Sequence, residues 1–313
     1  ATSLRLIDSS ATGSLGFKPF VEANREEFNK ADMIVVSDTG MWDIDTPALS
    51  TSLRGMVYME VILKAASRDL HSGMYGGSAL NPINALTKAL GQLKNEEGRV
   101  MLPGYYDGVR DISSRQSNQW SSLGFSEDKF LGDIGLSEAY GEKGRGALER
   151  LWARPTCDIC GIWGGYSGPG TKTVIASEAG AKVSFRLVPG QDPRTVADAF
   201  KAFMQARVPK DAKLTFITHG EAEGLEIGTD SPIVQAAAAA LEDEYGKPAV
   251  MIGCGGSIPV VETFQKAFGI ESLLMGFGLD DDQIHSPNEK FEQTCFHHGI
   301  RSHIRLLAKF AGG

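Results

Sequence analysis

A strand–helix–strand texture opens this chain, breaks off near Ser52 and resumes at Pro232. The two ends therefore belong to one α/β domain, and the middle is a different domain inserted into it. Leu4-Arg5-Leu6-Ile7 reads as a short strand, Phe17 to Lys30 as a helix with apolar residues at helical spacing, and Met33-Ile34-Val35-Val36 as a buried strand ending at Ser37-Asp38. A β-α-β unit of this kind predicts a mostly parallel sheet covered by helices. After Ser52 the pattern changes. Gly55 to Leu63 alternates like a half-exposed strand, Asn81 to Leu93 is helical, and a long polar stretch runs from Asn95 to Gly146. A strand at 181–187, a helix at 194–207 opened by Asp192-Pro193, and a strand at 213–218 follow, the order of an open-faced α+β domain with helices on one side of its sheet. From Pro232 come an alanine-rich helix to Tyr245, strand-like Val250-Met251, an apolar strand at 272–277 and a last helix expected over 287–310, with Ser286 as cap, Pro287 in the first turn and Glu289 three positions after the cap. The expected division is residues 1–52 with 221–313 for the α/β domain and 53–220 for the insertion.

Composition narrows the partners. A chain of 313 residues that is 42% hydrophobic and 22% charged can build two cores, and it contains no apolar run long enough to cross a membrane. A net charge of −8 with no basic face argues against nucleic acid. Small molecules or peptides fit better. Residues 1–17 lack the charged head and apolar stretch of a signal sequence, so the expected location is cytoplasmic. Cys157, Cys160, Cys254 and Cys295 are too few for a disulfide framework, and Cys157 and Cys160 lie three apart on a strand, where they point to opposite faces.

Ligands of open α/β sheets bind beyond the carboxyl ends of the strands. Asp38 follows one strand and His285 another, and a carboxylate with an imidazole suits zinc or manganese. Taken alone, Asp38 reads first as a turn or cap aspartate and His285 as a packed loop histidine. In the insertion, His71-Ser72-Gly73 with Gly76-Gly77 is either a ligand-approaching bend or a tight turn. Arg186, in a strand, offers a fork that suits a carboxylate, or is simply an exposed strand arginine. Gly255-Gly256-Ser257 is a glycine turn exposing backbone amides and the Ser257 hydroxyl, without the lysine of a phosphate loop. Tyr105, Tyr106 and Asp107 are candidate cleft residues.

Ser37-Asp38-Thr39, Leu53-Arg54-Gly55, His71-Ser72-Gly73, the segment 184–189, His219-Gly220, Gly255 to Pro259 and Ile284 to Glu289 occur in an order that resembles the M20 metallopeptidases, most closely the carnosinase and cytosolic dipeptidase branch. The resemblance covers the chain from about residue 4 to the end. It implies a catalytic domain with an inserted lid that also makes a homodimer, two zinc ions (or manganese), and hydrolysis of dipeptides or short peptides. Asp38 resembles the ligand of one metal and His285 that of the other. His71 looks like the lid histidine that reaches into a partner's site to steady an oxyanion. Arg186, His219, Ser257 and Gly256 look like substrate-binding residues. N-acyl amino acid deacylation or desuccinylation, and non-catalytic peptide binding by a dimeric relative, are the alternatives.

The sequence departs from the family where the catalytic general-base glutamate and its neighbouring ligand should lie. The pair falls on Ser10 and Ala11, and Asp8 is out of register. The His-x-Asp motif would lie upstream of Ala1. The chain as written thus offers one ligand to each metal, as expected of a fragment of a normal enzyme, of a chain whose amino-terminal part was replaced, or of an inactive relative.

Overall fold

A computed structural model describes residues 17–311. The expected first strand at Leu4 to Ile7 and the positions Asp8, Ser10 and Ala11 lie outside them. The chain separates into two compact units, 1–52 with 226–254 and 258–313, and 53–225 with 255–257.

The first unit begins with helices α1 (Phe17–Ala23) and α2 (Arg25–Phe28), the single helix of the sequence reading interrupted at Asn24, followed by strands β1 (Ile34–Val36) and β2 (Ala48–Leu53). Its sheet is mixed. β1 pairs parallel with β11 (Ser272–Leu274), whereas β11 pairs antiparallel with β2. Between β2 and β11 come α9 (Pro232–Tyr245), β10 (Val250–Cys254) and α10 (Pro259–Phe268); α11 (Gln293–Ala311) closes the unit. Ser231 caps α9 through its side chain and Gly246 ends it in the left-handed conformation that glycine accepts without strain. Phe28, Phe264 and Val21 form a small core over this sheet, with Phe28 edge-on to Phe264 at 5.3 Å.

The second unit starts at β3 (Gly55–Lys64) and continues through β4 (Leu70–His71), α3 (Ser72–Tyr75) and α4 (Pro82–Leu90). Within the long polar stretch are α5 (Ser114–Ser121) and α6 (Glu127–Asp133), and α7 (Ala147–Trp152) follows it. Then come β5 (Thr156–Gly164), β6 (Val174–Ile175), β7 (Glu178–Leu187), α8 (Pro193–Gln205) and β8 (Lys213–Ala222), and β9 (Leu225–Glu226), at the boundary, pairs with β2 in the first sheet. The main sheet runs β5-β7-β3-β8, antiparallel throughout. Alternation decides its faces. Val57, Met59, Val61 and Leu63 of β3 and Ala181, Val183, Phe185 and Leu187 of β7 are buried in one core with Leu86 and Leu90 of α4 and Phe200, Phe203 and Met204 of α8. Each such large side chain contributes about 1.5–3 kcal/mol by leaving water. Asp192 caps α8 by accepting from the Thr195 N–H, and Asn81 caps α4. The intervening residues of β3 and β7, among them Tyr58, Glu60, Lys182 and Arg186, share the opposite, partly open face. Cys157 is buried and Cys160 exposed, and burial pushes the Cys157 thiol up to about 12.

The last helix departs from its sequence signal. It starts at Gln293, not at Pro287. Gln283, His285 and Asn288 all have φ between 54° and 64°, which no right-handed helix accommodates. Ser286 donates its N–H to the Gln283 carbonyl in a turn, and the Glu289 carboxylate reaches the His285 N–H at 3.3 Å. The Ser-Pro-x-Glu string thus builds a tight loop instead of a capping box. Among the described residues no helix is long and apolar enough to cross a membrane.

Candidate active site

In the first unit the chain leaving β1 runs beside the chain leaving β11. Met275 N–H donates to Val36 O at 3.0 Å, Gly278 N–H to Thr39 O at 3.2 Å, and Met41 N–H to Gly278 O at 2.9 Å. The approach is so close at Gly276 that a Cβ there would stand 1.8 Å from Thr39 O. This pairing fixes Asp38. Its neighbour Ser37 is held as well. His303 Nδ1 donates to Gly299 O at 2.7 Å, so its Nε2, 2.9 Å from Ser37 Oγ, accepts from that hydroxyl. His303 was not singled out in the sequence, because nothing in one helix reveals a bond 266 residues away.

Asp282 organises the loop that carries His285. Its buried carboxylate accepts from Leu279 N–H at 2.8 Å and from Lys290 Nζ at 2.9 Å, which ties the two ends of the loop together. Asp38 and His285 are both exposed. Partial burial raises the Asp38 carboxyl above its ordinary value, and the nearby His285 imidazole pulls it back down. The two candidate ligands are therefore electrostatic neighbours at the carboxyl end of the parallel pair. A zinc site normally needs three protein ligands. Among the described residues no group of three His, Cys, Asp or Glu side chains is placed to hold a metal ion, so these residues by themselves do not fit one.

The second unit gathers a different group. Arg186 Nη1 donates to Ser257 Oγ at 2.9 Å, and Ser257 Oγ donates to Arg54 O at 2.5 Å. Arg54 in turn holds the glycine turn, its backbone N–H on Gly256 O at 3.1 Å and its Nε on Gly255 O at 2.9 Å. Thus Arg186, Ser257 and Gly256 meet, and Arg54, present in the sequence motif without a role, is the residue that joins them. Tyr105 supports the strand from behind. It is buried, not a cleft residue, and its hydroxyl donates to Thr156 O at 2.7 Å, the strand neighbour of Arg186. Tyr106 lies under Arg99, whose guanidinium sits 4.0 Å from the ring centre.

His219 is not part of this group. It occupies the bulge of β8 opposite Tyr58 and Met59, with Nε2 2.7 Å from Glu60 Oε2 and its ring edge-on to Tyr58. His71 ends β4 and caps α3, with Nδ1 accepting from Gly73 N–H at 3.0 Å and Nε2 3.3 Å from Thr173 Oγ1. Ser10, where the general base would fall, is outside the described residues.

A mixed α/β unit that carries Asp38 and His285 beyond its parallel strands, and a four-stranded antiparallel unit backed by two helices and carrying an arginine–serine pair, define a class of two-unit α/β scaffold. Residues 51–212 match the peptidase dimerisation domain of the M20 group, and the chain belongs to that family. It is 30% identical to the Cys-Gly metallodipeptidase DUG1 of Candida albicans over 93% of this chain and 61% of that protein. Among solved structures, the di-peptidase Dug1p of Saccharomyces cerevisiae superposes with a TM-score of 0.85 at 27% identity, covering 96% of this chain and 64% of that one. Human carnosine dipeptidase 1 gives a TM-score of 0.81 at 27% identity, with the same coverage of 96% and 64%. The chain spans about three-fifths of the length of the curated relatives it matches.

Proposed function

We propose that this chain serves metal-dependent hydrolysis of dipeptides or short peptides. Its first unit would contribute Asp38 and His285 to a zinc or manganese centre whose remaining ligands lie outside the described residues. Its second unit would act as lid and homodimer contact. The observation that supports the reading is that Asp38 follows β1 and His285 lies on the chain leaving β11, so both stand beyond the carboxyl ends of the parallel pair, where open sheets bind ligands. Completed by those further ligands, such a centre would supply polarisation of the scissile carbonyl. The chain's own residues would do the rest. Arg186, which no carboxylate answers among the described residues, would clamp the free carboxylate of a peptide, with Ser257 beside it. His219, carried by Glu60, would be a further polar contact, and His71 would donate to the oxyanion in a partner's site. The four free cysteines support a cytoplasmic setting.

The test is metal content and hydrolysis of a dipeptide panel with zinc or manganese, for this chain and for the whole product of the reading frame that encodes it. Metal-dependent turnover lost in Asp38→Asn and His285→Ala is the expected result. Neither metal uptake nor turnover in the whole product removes the enzyme reading. A preference for N-acyl amino acids over dipeptides would move the substrate to the deacylase class. Dipeptide binding that survives chelation and disappears in Arg186→Ala, without turnover, would make the protein a peptide binder.

A further inference from the structure

His71, Ser72 and Gly73 place an imidazole directly over the N–H two residues on, and both ring nitrogens are engaged. Nδ1 accepts from Gly73 N–H at 3.0 Å. A nitrogen that accepts carries no proton, so the neutral ring holds its proton on Nε2. Nε2, 3.3 Å from Thr173 Oγ1, then donates to that hydroxyl oxygen. Both partners are fixed in place. A Cβ on Gly73 would stand 3.1 Å from His71 Cε1 and 3.3 Å from Nδ1, tighter than ordinary contact, so any larger residue there would push the ring a few tenths of an ångström off this position. Gly73 does not have a positive φ, so the glycine is needed here for space and not for backbone conformation. Thr173 is held by its own carbonyl, which accepts from Ser72 N–H at 3.0 Å, and by the pairing of His71 with Val174 across β4 and β6. Asp69 pins the far end of that ribbon by accepting from both the N–H and the hydroxyl of Ser177, at 2.8 and 2.9 Å.

We propose that Gly73 and Thr173 are positioning residues for His71: Gly73 locks the ring as the tautomer protonated on Nε2, and Thr173 keeps that N–H occupied until an oxyanion replaces its hydroxyl. The inference rests on the reading of His71 as an oxyanion partner. It adds the reason a glycine stands two residues after that histidine. The opposite tautomer would turn a lone pair toward the developing negative charge and repel it, so the Gly73 N–H decides the sign of the interaction.

The experiment is nitrogen-15 NMR of the full chain at about pH 8.5, some two units above the ordinary imidazole value, with the His71 signals identified by their loss in His71→Gln. A free histidine exchanges between both tautomers. The expected result here is one form, with Nδ1 an acceptor nitrogen and Nε2 a protonated one. Gly73→Ala is expected to return the ring to an averaged mixture. Thr173→Val is expected to keep the tautomer while the Nε2 proton exchanges with water several-fold faster. A wild-type His71 protonated on Nδ1, or averaged like a free side chain, overturns the proposal, as does a folded Gly73→Ala with an unchanged tautomer. The wild-type spectrum decides even where Gly73→Ala does not fold. Turnover does not enter this readout. A locked ring in a protein that hydrolyses nothing removes the peptidase reading alone, and an averaged ring in an active enzyme removes the positioning alone.

Discussion

Single residues set the two candidate groups, and the closest approach is at Gly276. A methyl group there would fall 1.8 Å from Thr39 O, 2.3 Å from its carbonyl carbon and 2.4 Å from its nitrogen, all backbone atoms that cannot swing aside. Gly276→Ala must separate the chains that leave β1 and β11, and a cost of about 3 kcal/mol or more is expected, in line with severe overpacking. Urea denaturation measures it, and a variant as stable as the parent would show that Asp38 is not held by this contact. Arg186 gives a second prediction. Charge-assisted hydrogen bonds contribute about 1.5–3 kcal/mol each, so Arg186→Ala should weaken dipeptide binding by about ten- to a hundred-fold in calorimetry. Arg186→Lys should recover only part of that, because an ammonium cannot reproduce the planar fork. Asp38 and His285 could be picked out in the sequence because each follows an apolar strand, Arg186 because it lies within one, and Ser257 because it ends a glycine turn. Arg54 and His303 could not be given roles, since theirs are long-range bonds to Gly255 and Ser37 that no local pattern encodes.

Secondary-structure elements are tied by longer-range charge as well as by packing. Glu244, near the end of α9, is half-buried, with its side chain only 3% exposed, and accepts from His298, Arg301 and Arg305 of α11 at 2.7, 2.6 and 3.0 Å. Burial alone would raise its carboxyl, but the hydrogen bonds from Arg301, Arg305 and His298 outweigh it and hold the group below the usual carboxylate range. A carboxyl lowered in the folded state stabilises the protein above its unfolded value, and that contribution disappears as pH falls through the folded value. Glu244→Gln should therefore cost about 2 kcal/mol at pH 7, less than a fully buried pair because both arginines reach solvent, and should lose less further stability than the parent between pH 5 and pH 3. Parallel pH–urea profiles check this. Elements with apolar periodicity were legible: β3 by its alternation, α8 by Asp192-Pro193, α9 by Ser231-Pro232. Helices α5 and α6 were not, because Ser113 and Ser126 cap segments with almost no apolar stripe to mark them. The misplaced start of α11 has a related cause. Its Ser-Pro-x-Glu signal is local, and the Asp282–Lys290 tie that bends the same residues into a loop is not.

At the scale of the whole molecule, the exposed edge of the second unit bears on assembly. β5 is an edge strand of the main sheet, and Ile159, Ile162 and Trp163 on it are 47%, 54% and 38% exposed. An unpaired edge bearing large apolar side chains invites another strand. The matching dimerisation family makes a second copy of this chain the expected occupant. The opposite edge, β8, is a poorer template, since it starts at exposed Lys213 and is bulged at His219. Association through β5 would bury the isoleucines and leave the Arg186–Ser257 pair untouched. Ile162→Lys should then convert a dimer into a monomer in light scattering at micromolar concentration, because a buried unpaired ammonium on each copy costs far more than a lost contact. Arg186-dependent peptide binding should survive in that monomer, whereas any turnover that needs His71 from a partner should fall with the dimer. A dimer that persists in Ile162→Lys would place the interface elsewhere, and turnover undiminished in a true monomer would show that His71 serves its own chain or none.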